Sequence, residues 1–154
     1  MLRSLVLVVY ALALRWPPPN GDTMIKKKVD PRRVKIVDDV GAKVFELVDK
    51  AAKNAIEDKC HFFLGIPGGS ILEMLAGTSP EWAAQTTVVW VNHKCVPLED
   101  ATSTSAKAKE LFLNAWEGCK IVDLKGGPDS IAEANSYDSA LRALEMPVNF
   151  EGGP

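Results

Sequence analysis

Between residues 40 and 57, apolar residues recur three or four positions apart and charged residues fill the positions between them. That spacing places the apolar side chains on one face of an α-helix. Asp38 and Asp39 precede the pattern, and their carboxylates can cap the first helical turn. A helix is therefore predicted to begin after Asp39. Its apolar face consists of Val40, Val44, Leu47, Val48, Ala51, Ala55 and Ile56.

Three later segments have the composition of buried β-strands. His61–Ile66, Thr87–Val91 and Lys120–Leu124 are short and rich in apolar or β-branched residues. Such runs are typical of strands that are covered on both faces of a parallel sheet. A shorter strand candidate, Val34–Val37, precedes the first helix.

A helix is predicted after each of these later strands. Ser70 and Glu73 have the spacing of a capping box, so one helix should begin at Ser70. Thr102 and Ser103 are candidate caps of the next helix, and a last helix should begin near Ser130. Strands that alternate with helices indicate the α/β class, with a parallel sheet and helical crossovers.

The N-terminal segment has a different character. Arg3 is followed by an unbroken apolar stretch, Leu5–Leu14, and then by Pro17–Pro19. A basic start and a short apolar run resemble a targeting signal. An extension that is not part of the native domain explains the pattern equally well. We assign residues 1–24 to one of these two and residues 25–154 to the domain, and we expect a cytoplasmic or organellar location.

Composition excludes several classes of protein. The 154 residues include 18 Lys and Arg against 20 Asp and Glu, a net charge of −2, without the basic excess of nucleic-acid-binding proteins. A hydrophobic fraction of 47% and a charged fraction of 25% are typical of one globular domain. No apolar run reaches the roughly 20 residues that span a bilayer. Three cysteines cannot form a closed set of disulfides, and we expect free thiols.

The loop Pro67–Ser70 follows the first of these strands and contains Gly68 and Gly69. Ligands of open parallel sheets bind beyond the carboxyl ends of the strands, where this loop is predicted to lie. Glycines let backbone N–H groups surround an anion at close range. Ser70 can add a hydroxyl to the same ligand. A plain structural turn, in which Ser70 only caps a helix, remains an equal alternative.

A second polar loop follows the next strand. It begins with Asn92, His93 and Lys94. Lys94 can neutralise a phosphate, His93 can transfer protons, and Asn92 can orient a hydroxyl or carbonyl group. Each residue alone is more simply explained as solvent-facing. Their position at the same sheet edge as the glycine loop favours a functional role.

The side chains of Cys60, His61, His93, Cys95 and Cys119 also carry metal-binding atoms. Cys60 and His61 open a strand, whereas His93 and Cys95 follow the end of another. In a parallel sheet these positions lie at opposite edges, so we expect no metal site.

Two segments resemble 6-phosphogluconolactonases. Phe63–Ser70, with the sequence FLGIPGGS, is similar to the strand–SGGS–helix element of that family. Val91–Leu98, with the sequence VNHKCVPL, is similar to its D-E-R-x-V-P-L segment, and Ser103–Ser105 stands where the family has S-N-Y. The resemblance covers Val34–Leu144. It implies a Rossmann-like sheet of the glucosamine-6-phosphate isomerase and 6-phosphogluconolactonase superfamily.

This resemblance also implies an activity: hydrolysis of 6-phosphogluconolactone to 6-phosphogluconate in the oxidative pentose phosphate pathway, without metal or organic cofactor. It implies that Gly68, Gly69, Ser70 and Lys94 bind the substrate phosphate and that Asn92 orients the substrate. The expected partner is a phosphorylated sugar lactone.

The chain departs from the family pattern in the second loop. Asn92, His93 and Lys94 stand where the family has Asp, Glu and Arg. Lysine keeps the positive charge but lacks the planar fork with which arginine grips phosphate.

The family's G-x-D-G-H-T-A-S segment, whose histidine is the general base, is not found between Met1 and Pro154. The only histidines are His61 and His93. The resemblance therefore implies that the catalytic histidine lies beyond Pro154, and His93 is a candidate substitute base. We expect a domain that is incomplete at its C-terminal end and that alone has little or no lactonase activity.

Two other functions stay open. A non-catalytic sugar-phosphate-binding module fits the altered Asn92-His93-Lys94 loop. An amino-sugar-phosphate deaminase or isomerase fits the superfamily, although Val96-Pro97-Leu98 favours the lactonase branch.

Overall fold

A computed structural model describes residues 37–144. The predictions made for residues 1–24 and for the strand at residues 34–36 lie outside the described residues. Pro154 lies outside them as well, so the expectation that the catalytic histidine follows Pro154 stays a prediction.

Helices and strands alternate along the described chain, as the sequence predicted. The elements are α1 (Val40–Lys59), β1 (Phe62–Pro67), α2 (Ser70–Met74), β2 (Thr86–Asn92), α3 (Thr104–Leu111), β3 (Lys120–Ile121) and α4 (Ser130–Ala143). Short 3₁₀ turns at Ala83–Gln85 and Leu113–Ala115 precede β2 and follow α3.

The three strands form a parallel sheet in the order β1-β2-β3, which confirms the predicted α/β class. Phe62 pairs with Thr86 at the start of β1, and Pro67 pairs with Asn92 at its end, after a shift in register. The loops that follow β1 and β2 therefore leave the sheet side by side.

The core lies on one face of the sheet, where alternate strand residues meet α1, α2 and α3. Phe62, Leu64 and Ile66 of β1 and Val88 and Trp90 of β2 are all less than 5% exposed. Burial of this apolar surface is the main source of stability. The buried indole N–H groups also have acceptors, because Trp82 donates to Asp49, Trp90 to Asp123 and Trp116 to Thr78.

Two of the predicted helix caps are confirmed. Asp39 is the N-cap of α1 and accepts a hydrogen bond from Ala42 N at 2.9 Å. Ser103 is the N-cap of α3 and accepts from Ala106 N at 3.3 Å.

The helix α2 begins at Ser70, as predicted, but the predicted capping box was wrong. Gly69 is the N-cap of α2, its φ of 90° and ψ of −149° being accessible to glycine, and no side chain caps this helix. Ser70 is instead the first residue inside the helix. The conformational freedom of Gly69 therefore sets where α2 begins.

The third strand is shorter than the predicted Lys120–Leu124. Beyond Val122, a side chain takes the place of the strand as the hydrogen-bond partner of β2. Val122 N still bonds Val88 O at 3.0 Å. The next pair of β2 groups, N and O of Trp90, bonds the Tyr137 hydroxyl at 2.5 and 3.0 Å. A residue of α4 thus completes the sheet hydrogen bonds where β3 ends.

Within residues 37–144, no helix has both the length and the apolar character required to cross a bilayer.

Candidate functional site

A cleft of about 490 Å³ opens at the carboxyl edge of the sheet, between the loops that follow β1 and β2 and the start of α3. Four residues singled out from the sequence line it: Gly68, Gly69, Asn92 and Lys94. Ser70 and His93 do not line it. The remaining lining residues are Leu72, Ala101, Thr102, Ser103, Thr104 and Lys107.

The glycine loop fits closely against α3. A Cβ atom on Gly68 would lie 3.1 Å from Thr104 Oγ1, so a side chain there would displace Thr104. A Cβ on Gly69 would meet nothing within 4 Å, but its φ of +90° disfavours any other residue. A side chain at position 68 would thus crowd Thr104, and one at position 69 would strain the backbone, so the two glycines leave the cleft open on this side.

Two lysines bring positive charge to the cleft. Lys94 follows β2, and Lys107 lies one turn into α3, where its Nζ is 3.0 Å from Glu73 Oε1. An exposed ion pair of this kind is weak, so Lys107 can exchange Glu73 for a bound anion at little cost. The sequence reasoning missed Lys107. Its spacing of three residues from Thr104, on the helix predicted after Ser103, is the signal that would have identified it.

The segment between Lys94 and α3 is held by a compact turn. Asp100 Oδ1 accepts hydrogen bonds from the hydroxyl and the backbone N–H of Thr102, both at 2.7 Å. These two bonds, together with the charge of Lys94, hold the pKa of the Asp100 carboxyl below its ordinary value. The turn therefore keeps its carboxylate ionised and fixes the far wall of the cleft.

His93 lies beside the cleft with both ring nitrogens close to backbone atoms. Nδ1 is 2.6 Å from Lys94 O, and Nε2 is 3.3 Å from Ser105 N. Its ring packs edge-on against Trp90, with the ring centroids 5.8 Å apart. A general base needs a lone pair aimed at the attacking water. In this geometry the backbone of α3 uses the Nε2 lone pair.

Behind the cleft, Asp123 joins three elements. Its carboxylate accepts hydrogen bonds from Lys109 Nζ at 2.6 Å, Ser105 Oγ at 2.7 Å and Trp90 Nε1 at 2.9 Å. Burial raises the pKa of the Asp123 carboxyl, but these hydrogen bonds outweigh burial and hold the pKa below its ordinary value. An ionised Asp123 thus anchors α3 to β2 and to the end of β3.

His61 lies far from the cleft, at the opposite edge of the sheet. It precedes β1, and its Nε2 is 2.9 Å from Thr87 Oγ1 near the start of β2. Burial and the nearby charge of Lys120 lower the pKa of the His61 imidazole. Residues 37–144 contain no cluster of three or more His, Cys, Asp or Glu side chains that could hold a metal ion.

Comparison with known proteins agrees with this architecture. A family model described as glucosamine-6-phosphate isomerases/6-phosphogluconolactonase matches residues 37–151. The chain belongs to this family. The matched region includes every residue of the cleft. No curated protein is similar enough in sequence to count as a match.

Solved structures with the family's fold resemble the chain. A 6-phosphogluconolactonase from Thermotoga maritima is 17% identical, with a TM-score of 0.60, over 71% of this chain and 52% of that one. A 6-phosphogluconolactonase from Shewanella baltica OS155 is also 17% identical, with a TM-score of 0.56, over 66% of this chain and 46% of that one. The chain therefore spans about half the length of these solved structures and shares the fold of that half.

Proposed function

We propose that the cleft binds the phosphate group of a phosphorylated sugar lactone, and that the chain contributes this site to the hydrolysis of 6-phosphogluconolactone to 6-phosphogluconate. The observation that carries the proposal is the convergence of the two loops. Gly68 and Gly69 lie on one side of a cleft that also contains Lys94 and Lys107.

The chemistry of the cleft suits a phosphate dianion. Two ammonium groups can balance its charge, and hydrogen bonds between charged groups are stronger than neutral ones. Thr104 adds a hydroxyl, and the glycine loop leaves space for an anion to reach backbone N–H groups. Ser70 does not line the cleft, but it is the first residue of α2 and follows Gly69 directly. Its proposed contact with the phosphate rests on this position next to the glycine loop.

Asn92 has a different proposed role. It ends β2, pairs with Pro67 across the sheet and lines the cleft beside Lys94. Its amide can donate to the lactone carbonyl and accept from a sugar hydroxyl. It cannot accept a proton from water as a carboxylate can. We therefore assign Asn92 to orienting the sugar rather than to proton transfer.

Hydrolysis requires a water molecule to attack the lactone carbonyl while a base removes its proton. Among residues 37–144, His61 lies at the wrong edge of the sheet, and the Nε2 lone pair of His93 faces Ser105 N. A positioned base contributes about 10²–10⁴ in rate. The described residues therefore support substrate binding more strongly than proton transfer, and a base beyond Pro154, as the family pattern implies, remains part of this proposal.

A non-catalytic sugar-phosphate-binding module is the second candidate, and the engagement of His93 favours it. Both candidates use the same cleft and the same phosphate contacts. Only the first candidate hydrolyses the lactone, so an activity assay distinguishes the two.

Binding is tested by calorimetric titration of the full 154-residue chain with 6-phosphogluconate, the stable product of the proposed reaction. Lys94→Ala and Lys107→Ala should each weaken binding about tenfold or more, because each removes a charge-assisted hydrogen bond to phosphate. Lys50→Ala removes an equal charge from the exposed side of α1 and is the matched control, expected to bind like the wild type. Equal losses in all three variants would indicate a diffuse charge effect and contradict the assignment of the cleft.

Turnover is tested separately with freshly prepared 6-phosphogluconolactone in an assay coupled to oxidation of the product. We expect the 154-residue chain to bind the product but to hydrolyse the lactone no faster than its spontaneous rate, because residues 37–144 offer no free base at the cleft. Hydrolysis far above the spontaneous rate, lost in His93→Gln, would reassign His93 as the base.

A further inference from the structure

We propose that His93 is a positioning residue: its neutral ring holds the Lys94 loop against α3, and its protonation releases that contact. This inference rests on the proposed function, because the contact joins two walls of the proposed phosphate site. It gives His93 a role different from that of a base or a phosphate ligand.

The hydrogen bonds select one form of the ring. Lys94 O, 2.6 Å from Nδ1, can only accept, and Ser105 N, 3.3 Å from Nε2, can only donate. Nδ1 must therefore carry the proton, and Nε2 must offer its lone pair. The neutral Nδ1–H tautomer alone satisfies both contacts at once.

These contacts connect the positive groups of the cleft. Lys94 belongs to the loop after β2, whereas Thr104 and Lys107 belong to α3. His93 bonds the backbone of Lys94 on one side and the first turn of α3 on the other. The ring thus fixes the separation of the two walls between which an anion would bind.

Protonation opposes this arrangement in two ways. A proton on Nε2 would set two donors, Nε2–H and the Ser105 N–H, facing each other. It would also place a positive charge at the N-terminal end of α3, where the helix dipole favours negative charge. Acidification should therefore loosen the cleft and weaken anion binding. A histidine that touched the anion directly would strengthen binding on acidification.

Two of the ionisable groups near the ring, Asp123 and Tyr137, have pKa values that are shifted away from the range between pH 8 and pH 5. The pKa of Asp123, behind Ser105, is lowered by hydrogen bonds that outweigh burial, and burial raises the pKa of Tyr137. Both shifts move titration away from this range. Cys95, Glu133 and Tyr137 line a small pocket together with His93, and Lys94 meets the ring through its backbone oxygen. Asp123 and Lys109 are connected to the ring only through Ser105, which donates to Asp123. Comparison of the wild type with His93→Gln separates the effect of the ring from the effects of these groups.

The first test measures binding of inorganic sulfate, which stays a dianion from pH 8 to pH 5, to the full chain. We expect the affinity of the wild type for sulfate to fall about threefold to tenfold on acidification, because the loss of one hydrogen bond has an effect of this size. His93→Gln keeps a polar side chain that does not titrate, so its affinity should stay constant. His61→Gln, which alters the histidine at the opposite edge, is the matched control and should behave like the wild type.

Affinity that rises on acidification would identify His93 as an anion ligand and overturn the proposal. An equal fall in wild type and His93→Gln would overturn it as well, since another group would then be responsible.

The second test needs no ligand and separates this proposal from the proposed function. In ¹⁵N NMR spectra of the wild-type chain, His93 should show the Nδ1–H tautomer at pH 8, and the Ser105 amide resonance should move as the ring titrates. This test decides the matter if sulfate does not bind or if His93→Gln does not fold. An Nε2–H tautomer, or a Ser105 amide that ignores the titration, would refute the contact. Failure of 6-phosphogluconate to bind would count against the proposed function alone.

Discussion

Gly69 shows how much of the cleft depends on a single residue. It caps α2 without a side chain and adopts φ 90° and ψ −149°, a region that costs other residues about 1–3 kcal/mol. A Cβ atom would meet no neighbour within 4 Å, so the cost is conformational rather than steric.

Gly69→Ala should therefore lower the free energy of unfolding by about 1–3 kcal/mol and weaken 6-phosphogluconate binding. Urea denaturation and calorimetry measure the two effects. Gly41→Ala is the control: Gly41 lies in α1, where the added Cβ makes ordinary contacts of 3.4–3.8 Å, and alanine favours the helix. Destabilisation by Gly41→Ala but not by Gly69→Ala would contradict this account.

Burial distinguishes Cys119 from the other two cysteines. Cys60 and Cys95 are exposed, whereas burial raises the pKa of the Cys119 thiol to about 11. Because the thiolate is the reactive form, Cys119 should be alkylated at pH 8 at least about tenfold more slowly than the other two. Mass spectrometry of peptides after timed iodoacetamide treatment measures this difference. Equal rates in the folded protein would contradict it, and equal rates in denaturant are expected.

At the scale of whole elements, Asp123 connects α3, β2 and the end of β3. Asp123→Asn should lower the free energy of unfolding by about 1.5–3 kcal/mol at pH 7, because it weakens hydrogen bonds to a charged group and leaves Lys109 uncompensated. Denaturation of both proteins measures the difference. Asp138→Asn, which breaks an exposed pair with Arg142 within α4, should have little effect.

The stability difference between the wild type and Asp123→Asn should also depend on pH. The folded-state pKa of Asp123 lies below its ordinary value, so its stabilisation is present above the unfolded pKa of about 3.9 and is lost as pH falls through the folded pKa. The stability difference between wild type and Asp123→Asn should therefore shrink below about pH 4. A difference that grows on acidification would show that the carboxylate is not stabilised in the fold.

Tyr137 has an equally specific role in the sheet. Its hydroxyl bonds both backbone groups of Trp90 where β3 has ended. Tyr137→Phe would leave a buried donor and acceptor unpaired, and we expect it to cost about 1–3 kcal/mol of stability. Denaturation measures the loss, and faster hydrogen exchange of the Trp90 amide would locate it. An unchanged exchange rate would contradict this role.

These elements also show what could be predicted from the sequence. The helix starts after Asp39 and after Ser103 follow from local patterns, and so does the alternation of helices with parallel strands, since caps and apolar runs act over a few residues. The bonds of His93 to Ser105 and of Tyr137 to Trp90 join residues 12 and 47 positions apart, and no local pattern encodes them. The N-cap of α2 was predicted wrongly because Ser70, next to the true N-cap Gly69, has the residue type and the spacing to Glu73 of a capping box.

For the molecule as a whole, the family and the fold are established, and the function is proposed from the cleft. The chain matches the family model over residues 37–151 and spans about half the length of the solved 6-phosphogluconolactonases it resembles. We propose that this part of the fold carries a site for the phosphate of a phosphorylated sugar.

The most direct test compares 6-phosphogluconate with gluconate, which differs only in lacking the phosphate, in NMR titrations of the ¹⁵N-labelled chain near neutral pH. If the cleft binds phosphate, the Gly68, Gly69, Lys94 and Thr104 amides should show saturable shifts with 6-phosphogluconate and none with gluconate. Absence of shifts with 6-phosphogluconate, or equal shifts with both ligands, would contradict this proposal.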